Sequence, residues 1–289
     1  MNIVLNFSPA VIFLIMVGVG MNLNIKSFFD VFKDLKVLLT GLLMQMVILP
    51  SIGFLFAIFL PIDLILKLGI ILITCVPSAV TSNYITKLAD GNVALSVTLT
   101  ALTATLSFIS IPFILTIVAP ILLDGSNIFQ ELNFIKMSLS LLLITTIPVF
   151  LGIFINIKFS IFVEKIHNFY SIFSLILFSI VIFAALHSEW DIVVGLYKRI
   201  GFLVILLAVV VFITSYTFVN LLGLDAKNKK TIIIESFIQN AAMAIIVGEA
   251  VFGRESGYLA IAVLYALLQY KLLILFWAIS KFLKKFNRS

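Results

Sequence analysis

The sequence predicts an all-α polytopic membrane protein, and three observations carry that prediction. Of its 289 residues, 63% are hydrophobic and only 11% are charged, whereas soluble domains carry about 25% charged residues. The mean hydropathy is +1.27. Apolar runs of roughly 20 residues, enough to cross a hydrocarbon core of about 30 Å, recur from end to end. The segments between them are short, and none is long enough to form a soluble domain.

Nine spans are expected, over residues 8–21, 37–60, 64–88, 93–118, 134–157, 170–186, 200–222, 231–251 and 258–280. The first lacks a basic flank and a small-residue cleavage site, so it reads as a span rather than a signal peptide. The stretch IKSFFDVFKDLK that follows mixes apolar and charged residues, as an interfacial helix does. The second span buries Gln45 five residues before Pro50. In the third, an apolar run to Cys75 meets Val76-Pro77-Ser78-Ala79-Val80-Thr81-Ser82-Asn83. Proline removes a donor and clashes with the preceding turn, so this span is expected to be two short helices around an unwound segment. Pro50, Pro112 and Pro148 are expected to be simple kinks. The eighth span carries Glu235, Ser236, Gln239 and Asn240 and is expected to break without a proline. The ninth holds Gln269 and Lys271.

The cations set the orientation. Thirteen of them, from Lys26 to Arg288, fall on one side of these spans and five on the other, with Lys271 inside a span. The richer side is cytoplasmic. With nine spans, the N-terminus is expected outside and the C-terminus inside. The net charge of +6 lies in short loops, which argues against nucleic acid as a partner. One cysteine, Cys75, excludes an intramolecular disulfide and a thiolate zinc cluster. His167 and His187 make no metal-ligand pattern.

Glu235 is the most informative side chain. An acidic residue at the centre of a membrane helix costs roughly 2.5 to 3.5 kcal/mol unless something compensates, so such residues mark ion or substrate pathways. Ser96 and Thr100, four residues apart, present both hydroxyls on one helix face. Individually each is more simply read as bonded to its own backbone, and Gln45 as interhelical glue. Together with Ser82, Asn83 and Gln239 they supply the oxygens that a dehydrated monovalent cation needs. One polar break in each half of the chain suggests a transporter with a central ion site.

At these positions the chain resembles the bile acid:sodium symporter family. The resemblance rests on Cys75-Val76-Pro77, Thr81-Ser82-Asn83, the run Gly91-Asn92-Val93-Ala94-Leu95-Ser96, Thr100, Glu235 with Gln239-Asn240, and Gly20-Met21-Asn22-Leu23. It implies a panel domain packed on a core domain, with two unwound helices crossing at mid-membrane. It also implies inverted repeats, here 1–118 with four helices (the family's first helix missing) and 119–289 with five. The residues it implies for a first sodium ion are Ser82, Asn83, Ser96, Thr100 and Glu235. For a second they are Gln45, Glu235 and Gln239 with the carbonyls of Ser236 and Ile238. Asn83 and Asn240, with Val80, Gln269 and Lys271, are implied on the substrate side. The family's Pro-Gly-Gly-Thr is Pro77-Ser78-Ala79-Val80 here, which narrows that side and loses the threonine hydroxyl. Its Trp-His-Asn in the last span is replaced by Leu268-Gln269-Tyr270.

The resulting expectation is a sodium-coupled symporter importing an organic anion, bile-acid-like or a small carboxylate, with two sodium ions and no other cofactor. It would act as a monomer in a bacterial inner membrane. The alternative is a proton-coupled or other-ion carrier of the same fold, such as one exporting arsenite or organic acids. An intramembrane enzyme would need a nucleophile and base or a metal motif, and no Ser-His, Cys-His or H-E-x-x-H pattern occurs. A membrane sensor would be expected to carry a signalling domain.

Overall fold

The computed structural model describes residues 8–23, 25–123, 133–188, 190–195, 197–252 and 257–286. In chain order its helices are α1 (Ser8–Met21), α2 (Ile25–Val31), α3 (Leu35–Phe59), α4 (Leu64–Cys75), α5 (Thr81–Leu88), α6 (Val93–Leu123) and α7 (Phe134–Lys158). They continue with α8 (Ser160–Ser188), α9 (Trp190–Gly195), α10 (Tyr197–Leu221), α11 (Ala226–Phe237), α12 (Ala241–Phe252) and α13 (Tyr258–Phe286). Six contain segments long and apolar enough to cross a membrane, and α1 and α4 are shorter apolar helices.

The helix starts follow local chemistry. Asp34, Asn133 and Asp225 cap α3, α7 and α11, each side chain accepting a main-chain N–H of the first turn. Between α10 and α11 the chain turns at Gly223, whose φ of 65° suits glycine. Lys33 pairs with Asp30 just after α2 at 2.6 Å and holds that carboxyl below its ordinary range.

Both expected breaks are present. The third span divides into α4 and α5 around residues 76–80, and the eighth into α11 and α12 around 238–240. Two of the three prolines, Pro50 and Pro148, behave less simply than kinks. α3 and α7 each contain a π-helical turn, Met44–Ile48 and Leu142–Thr146, immediately before the Leu49-Pro50 and Ile147-Pro148 pairs. The N–H groups of Leu49 and Ile147 bond five residues back, to Met44 and Leu142. A ring without N–H is accommodated by widening the preceding turn. Pro112 lies within the uninterrupted α6. The apolar segment of α8, Asn168–His187, matches the expected sixth span, and the helix itself extends further back, to Ser160.

Packing divides the helices by contact. α1 lies along α7 with the backbones nearly touching, and a Cβ on Gly20 would fall 2.0 Å from the Val149 carbonyl oxygen. Small residues allow such approach in membrane helices. α13 packs on α4, α10 and α12, and α6 packs against both α5 and α11. The two breaks therefore come together, flanked by α3, α6 and α13.

Candidate functional site

The two unwound segments hydrogen-bond to each other. Ala79 N–H donates to the Ile238 carbonyl at 3.0 Å, and Asn240 N–H donates to the Pro77 carbonyl at 2.9 Å. Ser78 and Gln239 form an isolated antiparallel bridge. Each segment has left its helix and lost its helical partners, and within a membrane those groups must be satisfied by protein. Crossing the breaks satisfies several of them at once.

Glu235, on the last turn of α11, is fully buried beside this crossing. Four hydroxyls donate to its carboxylate. Ser82 reaches Oε1 at 2.6 Å and Thr100 reaches Oε2 at 3.0 Å. Ser96 and Ser78 also donate, to Oε1 and Oε2 respectively. The Asn83 amide oxygen lies 2.7 Å from the Ser96 hydroxyl and competes with Glu235 for its single proton. The donors come from the first break and α5 and, through the Ser96/Thr100 spacing, from one face of α6. All five residues implied for a first ion are brought together here.

A second locus lies on the other side of Glu235. The π turn in α3 places Gln45 so that its Nε2 donates to the Glu235 carbonyl. Gln239 Nε2 donates to the Ser236 carbonyl at 2.7 Å. Both amides thus spend their N–H groups on the last turn of α11. Both amide oxygens, Gln45 Oε1 and Gln239 Oε1, are buried with no hydrogen-bond partner. Buried acceptors without donors are costly, and a cation beside them would satisfy both. The oxygen-rich donor set fits a hard monovalent ion. The Ile238 carbonyl meanwhile accepts from Ala79.

The remaining implied residues are placed unevenly. Asn83 is half-buried and Asn240 is buried, its side chain accepting from Met243 N–H at the start of α12. Val80 is half-buried at the start of α5. Gln269 is buried and accepts from the Gln239 N–H at 2.9 Å, so it joins the second locus. Lys271 is exposed on α13 and is in no ion pair among the described residues. The carboxylate of Glu235 is surrounded by hydroxyls, with no ammonium among its partners in the described residues.

Ser78 is the residue that sequence reasoning missed. The change from Pro-Gly-Gly-Thr to Pro77-Ser78-Ala79-Val80 reads as a narrowing of the break with loss of the threonine hydroxyl, yet the Ser78 hydroxyl contacts both Glu235 and Thr100, the latter at 3.0 Å. Its position directly after Pro77, with a backbone already out of helix, was the available signal. A crevice of about 410 Å³ lies nearby, lined by Thr81 and Tyr84 of α5, Phe178 and Ile182 of α8, and Leu267 and Tyr270 of α13. Its walls are apolar with a few hydroxyls, and Thr81 and Tyr270 pair across it at 2.8 Å.

The model of the sodium bile acid symporter family matches residues 9–196, well over half the chain. The chain belongs to that family. The match takes in the first break and α6, while Glu235 and the second break lie beyond it. The chain is 26% identical over 239 residues to the probable chloroplastic sodium/metabolite cotransporter BASS1 of Arabidopsis thaliana, covering 83% of this chain and 58% of that protein. It is 26% identical over 245 residues to the uncharacterized sodium-dependent transporter YocS of Bacillus subtilis, covering 84% and 74%. Over 145 residues it is 30% identical to the ileal sodium/bile acid cotransporter of Homo sapiens, covering 50% and 41%. The chain thus spans under three fifths of the length of the plant member. Relatives in the family are named as transporters, which agrees with the absence of enzyme motifs from the sequence. Among the described residues no group of His, Cys, Asp or Glu could hold a transition metal.

Proposed function

We propose that this protein is a sodium-coupled symporter that imports an organic anion by alternating access. The observation that carries the reading is the pair of buried, unpartnered amide oxygens of Gln45 and Gln239 beside the fully buried Glu235. Ser78, Ser82, Ser96, Thr100 and Asn83 with Glu235 hold the first sodium ion. Gln45 and Gln239, with carbonyls of the second break, hold the second. Asn83 and Asn240, one on each side of the crossing, face the organic anion. The crevice beside Tyr270 takes its apolar body, and the exposed Lys271 of α13 contributes charge.

In this reading the chain has nine spans in inverted repeats of four and five, with the N-terminus outside and the C-terminus cytoplasmic. α1, α7 and α8 form a panel, and the remaining spans form a core that carries both breaks. Moving two sodium ions with one monoanion carries one net charge inward, worth about 2.3 kcal/mol per 100 mV. A tenfold sodium gradient adds about 1.4 kcal/mol per ion. The total of roughly 5 kcal/mol supports accumulation of several thousand-fold. Reporter tags at both ends test the topology, and two cytoplasmic ends would refute it. Purified protein should melt at higher temperature in sodium than in potassium or lithium at equal ionic strength, since a ligand bound only by the folded state stabilises it. A screen of carboxylates and sulfonates with and without sodium then selects the anion. Stabilisation that follows pH and ignores sodium would replace this reading with a proton-coupled one.

A further inference from the structure

One helix, α13, reaches both breaks. The Tyr265 hydroxyl donates to the Phe237 carbonyl at 2.9 Å, Gln269 accepts from Gln239 N–H at 2.9 Å, and Tyr270 pairs with Thr81 at 2.8 Å. Gln239 N–H needs an outside partner. α11 has ended at Phe237, and Ile238 N–H makes the last bond back into it, to the Ile234 carbonyl. Because a main-chain N–H can only donate, it fixes the Gln269 oxygen on its side and leaves the NH₂ on the other. That NH₂ group is buried on the side of the Tyr270 side chain. A third amide thus reaches the crossing, but through its oxygen it serves the main chain of Gln239 and offers no acceptor of its own to a cation.

We infer that Gln269 is a positioning residue for the second cation: it fixes the main chain at Gln239 so that the Gln239 side chain stays folded back over its own break. Gln239 is held at two points beyond its own N–H, by its Nε2 on the Ser236 carbonyl and by the following N–H, of Asn240, on the Pro77 carbonyl. Without the Gln269 oxygen, its N–H is satisfied only by turning the peptide, which swings Gln239 Oε1 away from the locus. The first cation's hydroxyls come from α5, α6 and the first break and do not depend on Gln269. The assignment rests on the sodium-coupled reading and concerns a residue that touches the ion only through Gln239.

The test is a sodium titration of the melting temperature of the purified full-length chain, with choline chloride holding ionic strength constant. Wild type should respond sigmoidally, as two coupled sites do. Gln269→Met keeps the volume and removes the acceptor. It should raise the sodium midpoint roughly tenfold, the worth of one well-placed hydrogen bond, and turn the curve hyperbolic. Gln45→Ala should do the same by removing a ligand directly. Gln269→Glu, which keeps an acceptor oxygen, should restore the sigmoidal curve. If Gln269→Met yields no folded protein, Gln269→Asn withdraws the oxygen by one methylene and is read in the same way. A wild-type midpoint and sigmoidal response in either variant overturns the inference while leaving the sodium reading intact. A wild-type chain with no sodium response removes both.

Discussion

The two breaks reach the same outcome by different chemistry. At residues 76–80 the helix is stopped by Pro77 followed by small residues. At 238–240 nothing covalent stops it. There the side chains of Gln239 and Ser236 bond main-chain carbonyls of α11, and Gln239 N–H goes to α13. The first break is therefore encoded locally, whereas the second persists because tertiary partners accept and donate what the helix gives up. The first break and the helices beside it supply hydroxyls to a carboxylate, and the helix that leads into the second break carries that carboxylate. Each also completes the other's backbone, through Ala79 to Ile238 and Asn240 to Pro77.

The largest effect should come from the charge. Glu235→Ala is expected to abolish both sodium-dependent melting shifts and sodium-dependent uptake into proteoliposomes, while the protein still reaches the membrane. Robust sodium-driven uptake by this variant would separate the crossing from ion binding altogether.

Next come matched lesions in the two breaks. Pro77→Ala leaves the carbonyl that accepts from Asn240 in place. It nonetheless removes the residue that stops the helix, so residues 76–80 should regain helical hydrogen bonds and the sodium response should weaken markedly. Gln239→Leu should leave only one responsive sodium site, because it removes a candidate ligand and the tie to Ser236 together. If the proline variant kept the full sodium response, the first break would be held by tertiary contacts as the second is, and the contrast between local and tertiary encoding would fail.

A smaller change is expected at Ser78. Ser78→Ala removes one of four hydroxyls on Glu235 and should weaken sodium binding by roughly fivefold to tenfold, the worth of one ordinary hydrogen bond. Titration of the melting temperature reads this directly. An unaltered midpoint would mean that this hydroxyl serves only the cation-free carboxylate. The smallest effect should be at Lys271, exposed and outside both ion loci. Lys271→Met should leave the sodium curves unchanged and raise the KM for the organic anion. An unchanged KM would return it to the lipid-facing or solvent-facing surface.

What the sequence determined by itself is the membrane class, the polar inventory and the first break. Composition and the length of apolar runs decide the solvent, and Pro77 decides a backbone interruption whatever surrounds it. Glu235 announces a buried ionic site because a carboxylate at mid-membrane is too costly to keep without compensating groups around it. The tertiary structure decided which oxygens meet. Gln45 lies 190 residues from the carbonyl that receives its amide, and it arrives there through a π turn that no apolar periodicity reveals. Ser78 and Gln269 belong to the site only because α11 crosses the first break and α13 lies against the second. Hydrogen bonds between distant segments depend on how helices cross, and that geometry is a property of the packed whole rather than of any local run of residues.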